Sequence, residues 1–586
     1  MKARTNRWWA LLAAAALALT SLPAAAATPT DQAAPDRAET LKIAVSDRIQ
    51  DPTNFNLYAP GVSRSGTGLH QVLYEYLFYN NLQTGEFVPW LAENFSYNAD
   101  YTALDVKLRD GVTWNDGQPF NADDIVFTYD LLKNNKGMVW AEETNANVDN
   151  VEKLDALNVR FHLKQANPHF HLIREAFPAV GIWGGITILP KHIWEGKDPL
   201  TFKNNPPVGT GAYKLKDASQ TGVTYDRNDQ YWATKVFGIA PAPKEIQFIY
   251  GGPETNVALA LSNNDLDTPN IGILSLSTFQ NVASRNANVR AWTTDSPYAW
   301  LDPCPRAMMV QNANPQLSDS RVRWALSNAI DRNAIVNLAY EGATVPTWGI
   351  WPFYDANQPY FEAISDLRQT YQPEAYDPDR ALSLFSQAGV DPSQLRLRYI
   401  VNSEANEDMK VAQVVADQLR GIGITVDVQP LAGGVLEDTL RRGDYDIAMN
   451  AFCPGYIAEN LELFHSKNYR PLGEMAPFFE RNSFRYQNPQ LDAIVDQMLR
   501  TSPTDVNTMK GLYHDAMAIW FADLPVVPLT QAPALVPFNS TYWQGWPTAE
   551  NAWNMPVSWW ATFNLLLTGY PNQQGGWVPG IRPAGR

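Results

Sequence analysis

At 586 residues the chain is too long for one ordinary hydrophobic core and implies two or more domains. Its 45% apolar and 18% charged residues suit a globular protein in water, and the formal charge of −16 argues against nucleic acid or an anionic membrane as partner, since both need clustered Lys and Arg. The outlier is aromatic content: 20 Trp, 25 Tyr and 24 Phe, more than core filling alone requires.

In chain order, Lys2, Arg4 and Arg7 precede an apolar run over residues 8–22, which is shorter than the roughly 20 residues that span a bilayer. Small residues at 24–27 offer a cleavage site. The expectation is a signal peptide over 1–27 and a disordered, Ala- and Pro-rich leader over 28–40. No Cys lies near the cleavage site, so no lipid anchor is expected, and the mature chain is expected in the periplasm.

Residues 41–45 read as a strand, followed by a loop carrying Asn54, Phe55, Asn56 and Tyr58. Leu104, Val106 and Leu108 alternate with polar neighbours as in a half-buried strand. The dipeptides Asp110-Gly111 and Asp116-Gly117 mark turns, and Asn121 is placed to cap a helix opening with Asp123 and Asp124. A Gly-rich run at 181–185 contains Trp183. Val322, Leu326, Ala329 and Ile330 share one helical face. From Leu395 onward a strand (395–401), a helix (411–420, stopped by Gly421) and two more strands (424–428 and 446–449) predict βαβ units and a mainly parallel sheet. The C-terminal stretch interleaves Trp543, Trp546, Trp553, Trp559 and Trp560 with Asn551 and Asn554. Two cysteines, Cys304 and Cys453, are either buried thiols or one disulfide.

Little here speaks for catalysis or a metal. Asp123 and Asp124 sit at a helix start, where they complement the dipole, and neighbours at a cap do not provide the facing carboxyl pair of a glycosidase. No nucleophile elbow, Walker loop or zinc motif is present. Among the histidines only His169 and His171 have ligand-like spacing, with no Cys or carboxylate cluster beside them. No enzyme activity, metal or cofactor is expected, and a secreted glycoside-active enzyme is the alternative from another class.

Four blocks carry a family resemblance: EYLFYNNLQTGEFVPWLAENF at 75–95, LRDGVTWNDGQPFNADDIVFTYDLL at 108–132, PPVGTGAYKL at 206–215 and LSDSRVRWALSNAIDR at 317–332. In this order they resemble the family 5 extracellular solute-binding proteins of ABC transporters, with Ala212 where the family usually has Pro. The resemblance implies an α/β, two-lobed periplasmic-binding-protein fold of type II, with an extra domain inserted in the first lobe and the ligand enclosed between lobes. Domain I would comprise 40–88, 206–296 and 525–586, domain II 89–205, and domain III, the second lobe, 297–524, with crossovers near Ser296 and Leu524. The resemblance further implies a Cys304–Cys453 disulfide, ABC permease transmembrane subunits as the partner that receives the ligand, and a monomer.

Peptide-binding relatives carry a Gly-Trp-x-Ala-Asp-Tyr segment whose Asp pairs with the peptide ammonium. Here the matching residues run Ala451, Phe452, Cys453, Pro454, Gly455, Tyr456, with glycine where the Asp would be. A buried ammonium without its partner is costly, unless Glu459 fills the position. A sugar ring instead stacks its C–H face on aromatic rings and shares its hydroxyls with neutral polar groups. The sequence reading is therefore a receptor for an oligosaccharide, possibly β-linked, with an oligopeptide as the alternative. Expected platforms are Tyr58, Trp183, Trp348, Trp351, Trp543 and Trp546. Asn54, Asn312 and Asn554 would supply polar contacts, and Phe452 and Tyr456 would contribute from the second lobe.

Overall fold

The computed structural model describes residues 36–62, 66–181, 184–272, 274–453, 456–477 and 482–585. The expected signal peptide lies outside the described residues. The leader does not run to residue 40 as expected: Asp36 caps a short turn over Arg37–Glu39. The Arg37 guanidinium reaches the buried Asp267 carboxylate at 2.9 Å and covers the Tyr542 ring, so order begins before the first strand.

That strand, Thr40–Val45, lies inside a five-stranded mixed sheet, parallel to Glu245–Tyr250 on one side and to Thr268–Pro269 on the other. Both of its faces are covered, as a run of apolar side chains requires. Leu41, Ile43 and Val45 enter one large core, while Ala44 enters a smaller one with Val257, Leu261 and Phe279.

A second, four-stranded antiparallel sheet is formed by Ala92–Tyr97, Ala103–Leu108, Asn158–Leu163 and Val148–Lys153. Helix Ala122–Asn134 packs on it and begins with a capping box between Asn121 and Asp124. The two acids read alike in the sequence differ here. Asp123 pairs at the surface with Lys153, whereas Asp124 is buried and accepts hydrogen bonds from Asn121 N, Lys191 N and the Trp114 indole. This part of the chain shares the large core of the first sheet, since Leu104, Ile125 and Phe161 belong to the same cluster as Leu41 and Ile43. Glu75 stitches that core together. Its buried carboxylate accepts from the indoles of Trp90 (2.8 Å) and Trp232 (2.9 Å), from the Tyr231 hydroxyl and from the Asn564 amide, and burial pushes its pKa up.

The other lobe has its own core, drawn from residues between Ala307 and Leu529. Its five-stranded sheet runs in the order Thr425–Leu431, Arg396–Asn402, Ile447–Ala451, Trp300–Val310, Val526–Ala534. The first three are parallel, as the βαβ pattern predicts, but the last two are antiparallel additions. Those two strands form the passage between lobes. Trp300 pairs with Ala534 beside the first lobe, Met309 pairs with Val526 inside the second, and the register shifts twice between Asp302 and Ala307. The chain thus crosses as a two-stranded ribbon with an irregularity in its middle, where a bend costs fewest ladder bonds.

Candidate functional site

Where the lobes meet, an apolar cluster collects side chains from both: Trp292, Val536, Met555, Val557 and Trp560 from one side, Tyr354 from the other, and Trp300 and Ala534 from the ribbon. Trp300 meets Trp560 edge-on at 5.3 Å and lies nearly parallel to Tyr354 at 5.9 Å. Gln83 bridges the junction, its side-chain oxygen accepting from the Trp300 indole at 3.3 Å and its carbonyl from Ala356 N at 3.1 Å.

Residues 552–562 form the first-lobe wall of this junction. Asn554 shapes that wall internally, donating to Thr562 O at 3.1 Å and accepting from Met555 N at 2.8 Å. Externally the wall is held by Gln71, which donates to Trp559 O at 2.9 Å, and by the Trp559 amide, which donates to Asn270 O at 3.1 Å. Around it five buried, uncharged groups have no hydrogen-bond partner among the described residues: Gln71 Oε1, Asn270 Oδ1, Ser558 Oγ, Trp560 Nε1 and Thr562 Oγ1. Buried polar groups are nearly always paired, and similar unpaired atoms also occur within both lobe cores, Trp351 Nε1 and Trp543 Nε1 among them. Trp559 is half-buried and packs against the cluster.

On the second lobe, Cys304 and Cys453 are joined by a disulfide. Beside it stands a carboxylate that sequence reasoning missed. Asp302 accepts from Cys304 N at 3.0 Å, and desolvation raises its pKa. Arg306, two residues beyond the cysteine, pairs with Asp408 at 3.0 Å. Nothing in the spacing of Asp302 distinguishes it from a surface acid. Only the ribbon and the disulfide bring it to the junction.

The expected site residues divide sharply. Asn554 and Tyr456 lie at the meeting of the lobes. Tyr58 is fully buried in the first-lobe core, its hydroxyl donating to Thr187 O and its ring set edge-on to Trp140 and Trp194. Trp348 and Trp351 belong to the second-lobe core, against Phe361 and Arg368 and against Tyr513 and Trp520 respectively. Trp543 is 0% exposed, and Trp546 stacks on Phe538 while donating its indole to Trp543 O. Phe452 is buried beside Phe464. Protein already covers these six rings, which corrects the reading of Tyr58, Trp348, Trp351, Trp543 and Trp546 as platforms and of Phe452 as a second-lobe contact. Asn54 closes a local turn onto Asn56 N, and Asn312 donates to the carbonyls of Val310, Phe484 and Pro525 within the second lobe. Trp183 and Gly455 lie outside the described residues. Glu459 is half-buried in the first turn of helix Ile457–Glu462.

Comparisons place this architecture among known proteins. Residues 86–464 match the family described as bacterial extracellular solute-binding proteins, family 5, middle. The glutathione-binding protein GsiB of Salmonella paratyphi A is 27% identical over 465 residues, 75% of this chain and 79% of that one. The fold is shared with the mannohexaose-bound periplasmic oligopeptide-binding protein of Thermotoga maritima, at TM-score 0.74 and 23% identity, over 94% of this chain and all of the other. It is shared also with the oligopeptide-binding protein AppA of Bacillus subtilis in complex with a nonapeptide, at TM-score 0.66 and 21% identity, over 89% and 99% of the two chains. With the match spanning well over half its length, the two-lobed chain belongs to the bacterial extracellular solute-binding proteins of family 5.

Proposed function

We propose that this solute-binding protein encloses an oligosaccharide between its lobes and delivers it to the transmembrane permease of an ABC importer. The observation that carries the reading is the wall at residues 552–562. It offers uncharged donors and acceptors, Gln71, Asn270, Ser558 and the Trp560 indole, beside the half-buried ring of Trp559. A neutral, hydroxyl-rich ring needs that combination, aromatic faces for its C–H groups and unpaired neutral groups for its rim. Gly455 in place of the peptide-pairing Asp supports the same reading, as does the fold-sharing Thermotoga protein with mannohexaose bound. The site performs no chemistry. It favours the closed arrangement by contacts that only closure completes.

A peptide is the second reading, favoured by Asp302, whose carboxylate beside the disulfide could accept a ligand ammonium. The fold-sharing nonapeptide complex and the glutathione-binding relative accord with it. Thermal melting separates the two. A ligand at about 100 times its dissociation constant adds roughly 2.7 kcal/mol to stability, so mannohexaose, cellohexaose, glutathione and short peptides can be ranked by shift in melting temperature. The expected result is a clear shift with an oligosaccharide that survives Asp302→Asn. A response to peptides alone, abolished by Asp302→Asn, would overturn the oligosaccharide reading in favour of the second.

A further inference from the structure

The two histidines spaced like metal ligands point in different directions. His171 stays within its own lobe, its Nδ1 at 2.9 Å from the Tyr97 hydroxyl and its ring against Phe95 at 4.9 Å. His169 reaches across to the other lobe. Its Nε2 lies 2.7 Å from the carbonyl oxygen of Thr501 and 3.1 Å from that of Met498, more than 300 residues away in the chain. Both oxygens are carbonyl acceptors, so Nε2 carries the proton and donates. The imidazole is 1% exposed and lies nearly parallel to the Tyr456 ring, 5.0 Å away and tilted by 13°.

The acceptors explain why a donor is useful here. Helix Pro489–Arg500 ends at Thr501, whose own carbonyl lies past the last helical turn, while Met498 O also accepts the Thr501 amide at 3.1 Å. Both carbonyls lie at the negative end of the helix dipole and favour a donor from outside. In this helix the donor comes from the opposite lobe, so the bond exists only while the lobes are together. When they part, water must replace it on both sides. The other face of the same imidazole holds Tyr456, three residues after Cys453, whose disulfide partner Cys304 lies beside Asp302 on the ribbon. One ring therefore touches the end of a second-lobe helix and the second-lobe loop next to the ligand site.

We infer that His169 is a positioning residue for ligand capture, a latch whose Nε2–H holds the closed arrangement by capping the helix that ends at Thr501 while its ring braces Tyr456. This holds whichever ligand the cleft takes, and so does not depend on the oligosaccharide reading. The latch would slow reopening and lengthen ligand residence without touching the ligand itself.

The test uses the full chain without ligand. Both native cysteines are in the disulfide, so Asp149→Cys on the first lobe and Asn507→Cys on the second, both exposed, can be labelled selectively. The distance distribution between the labels then reports the closed fraction. His169→Phe keeps a ring and loses the donor, whereas His169→Gln keeps an N–H donor. The expected result is a closed fraction at least about fivefold lower in His169→Phe, restored to within about twofold of the parent in His169→Gln, with unchanged melting temperature and circular dichroism in both. Identical distributions for the parent and His169→Phe would overturn the inference. So would a His169→Gln protein as open as His169→Phe, because the donor would then not matter.

Discussion

Trp543 and Trp559 belong to the same C-terminal stretch, and nothing in their spacing tells them apart. Trp543 is fully enclosed by the first-lobe core, while Trp559 is half-buried against the interlobe cluster. Trp543→Ala should therefore cost about 3–5 kcal/mol of stability and leave ligand affinity unchanged, as melting and titration calorimetry would show. Trp559→Ala should do the reverse, weakening oligosaccharide binding by more than about tenfold, worth about 1.4 kcal/mol, with little change in melting temperature. The aromatic surplus was legible in the sequence, but its division between core and cleft was not. A tryptophan inside a core and one on a cleft wall satisfy the same local pattern, and only long-range packing separates them. Asn554 is read in the sequence as a polar ligand contact, yet its amide shapes the wall by bonding to its own loop.

At the scale of elements, the turn at His169 and the helix ending at Thr501 make closure sensitive to pH. Burial pushes the His169 pKa below the usual imidazole value of about 6.5, because a second proton on Nδ1 would be buried with no partner. The groups facing the ring are Tyr456, the carboxylate of Glu462 from helix Ile457–Glu462, and His171, itself pushed down to about 4 by burial. With the lobes apart the imidazole returns to water and to its ordinary pKa. The closed form then binds fewer protons than the open one, so closure has its full strength above about pH 6.5 and weakens as pH falls below it. A closed fraction that declines on acidification in the parent, and not in His169→Gln, would bear this out. A flat profile in both would count against it. The helix starting at Ala122 and the parallel strands of the second lobe could be read from caps and periodicity. The two antiparallel strands that carry the chain between lobes could not, because their partners lie more than 200 residues apart and the pairing leaves no local mark.

On the scale of the whole molecule, four short blocks were enough to read the family and the two-lobed plan, since each encodes a local constraint: a cap, a turn, a buried carboxylate or a helix start. Glu75 illustrates this, its four donors coming from three distant stretches that must all be present for its burial to be tolerated. The blocks say nothing of which residues line the cleft, because the constraints they encode belong to each lobe separately. The cleft depends on how the lobes face one another, as the bond from His169 to Thr501 O illustrates.

The ribbon has a topological corollary. Leu301 and Pro533 are paired neighbours, so everything between them leaves and re-enters the remainder through one narrow gate, like a lobe spliced into a host. Splicing it out should be tolerated on both sides. The intervening stretch expressed alone should give a cooperative melt, and the remainder, sealed at the gate by a tight Asn-Gly turn, should melt cooperatively too. Failure of either fragment to fold would mean that the halves cannot be inherited, permuted or engineered as separate parts.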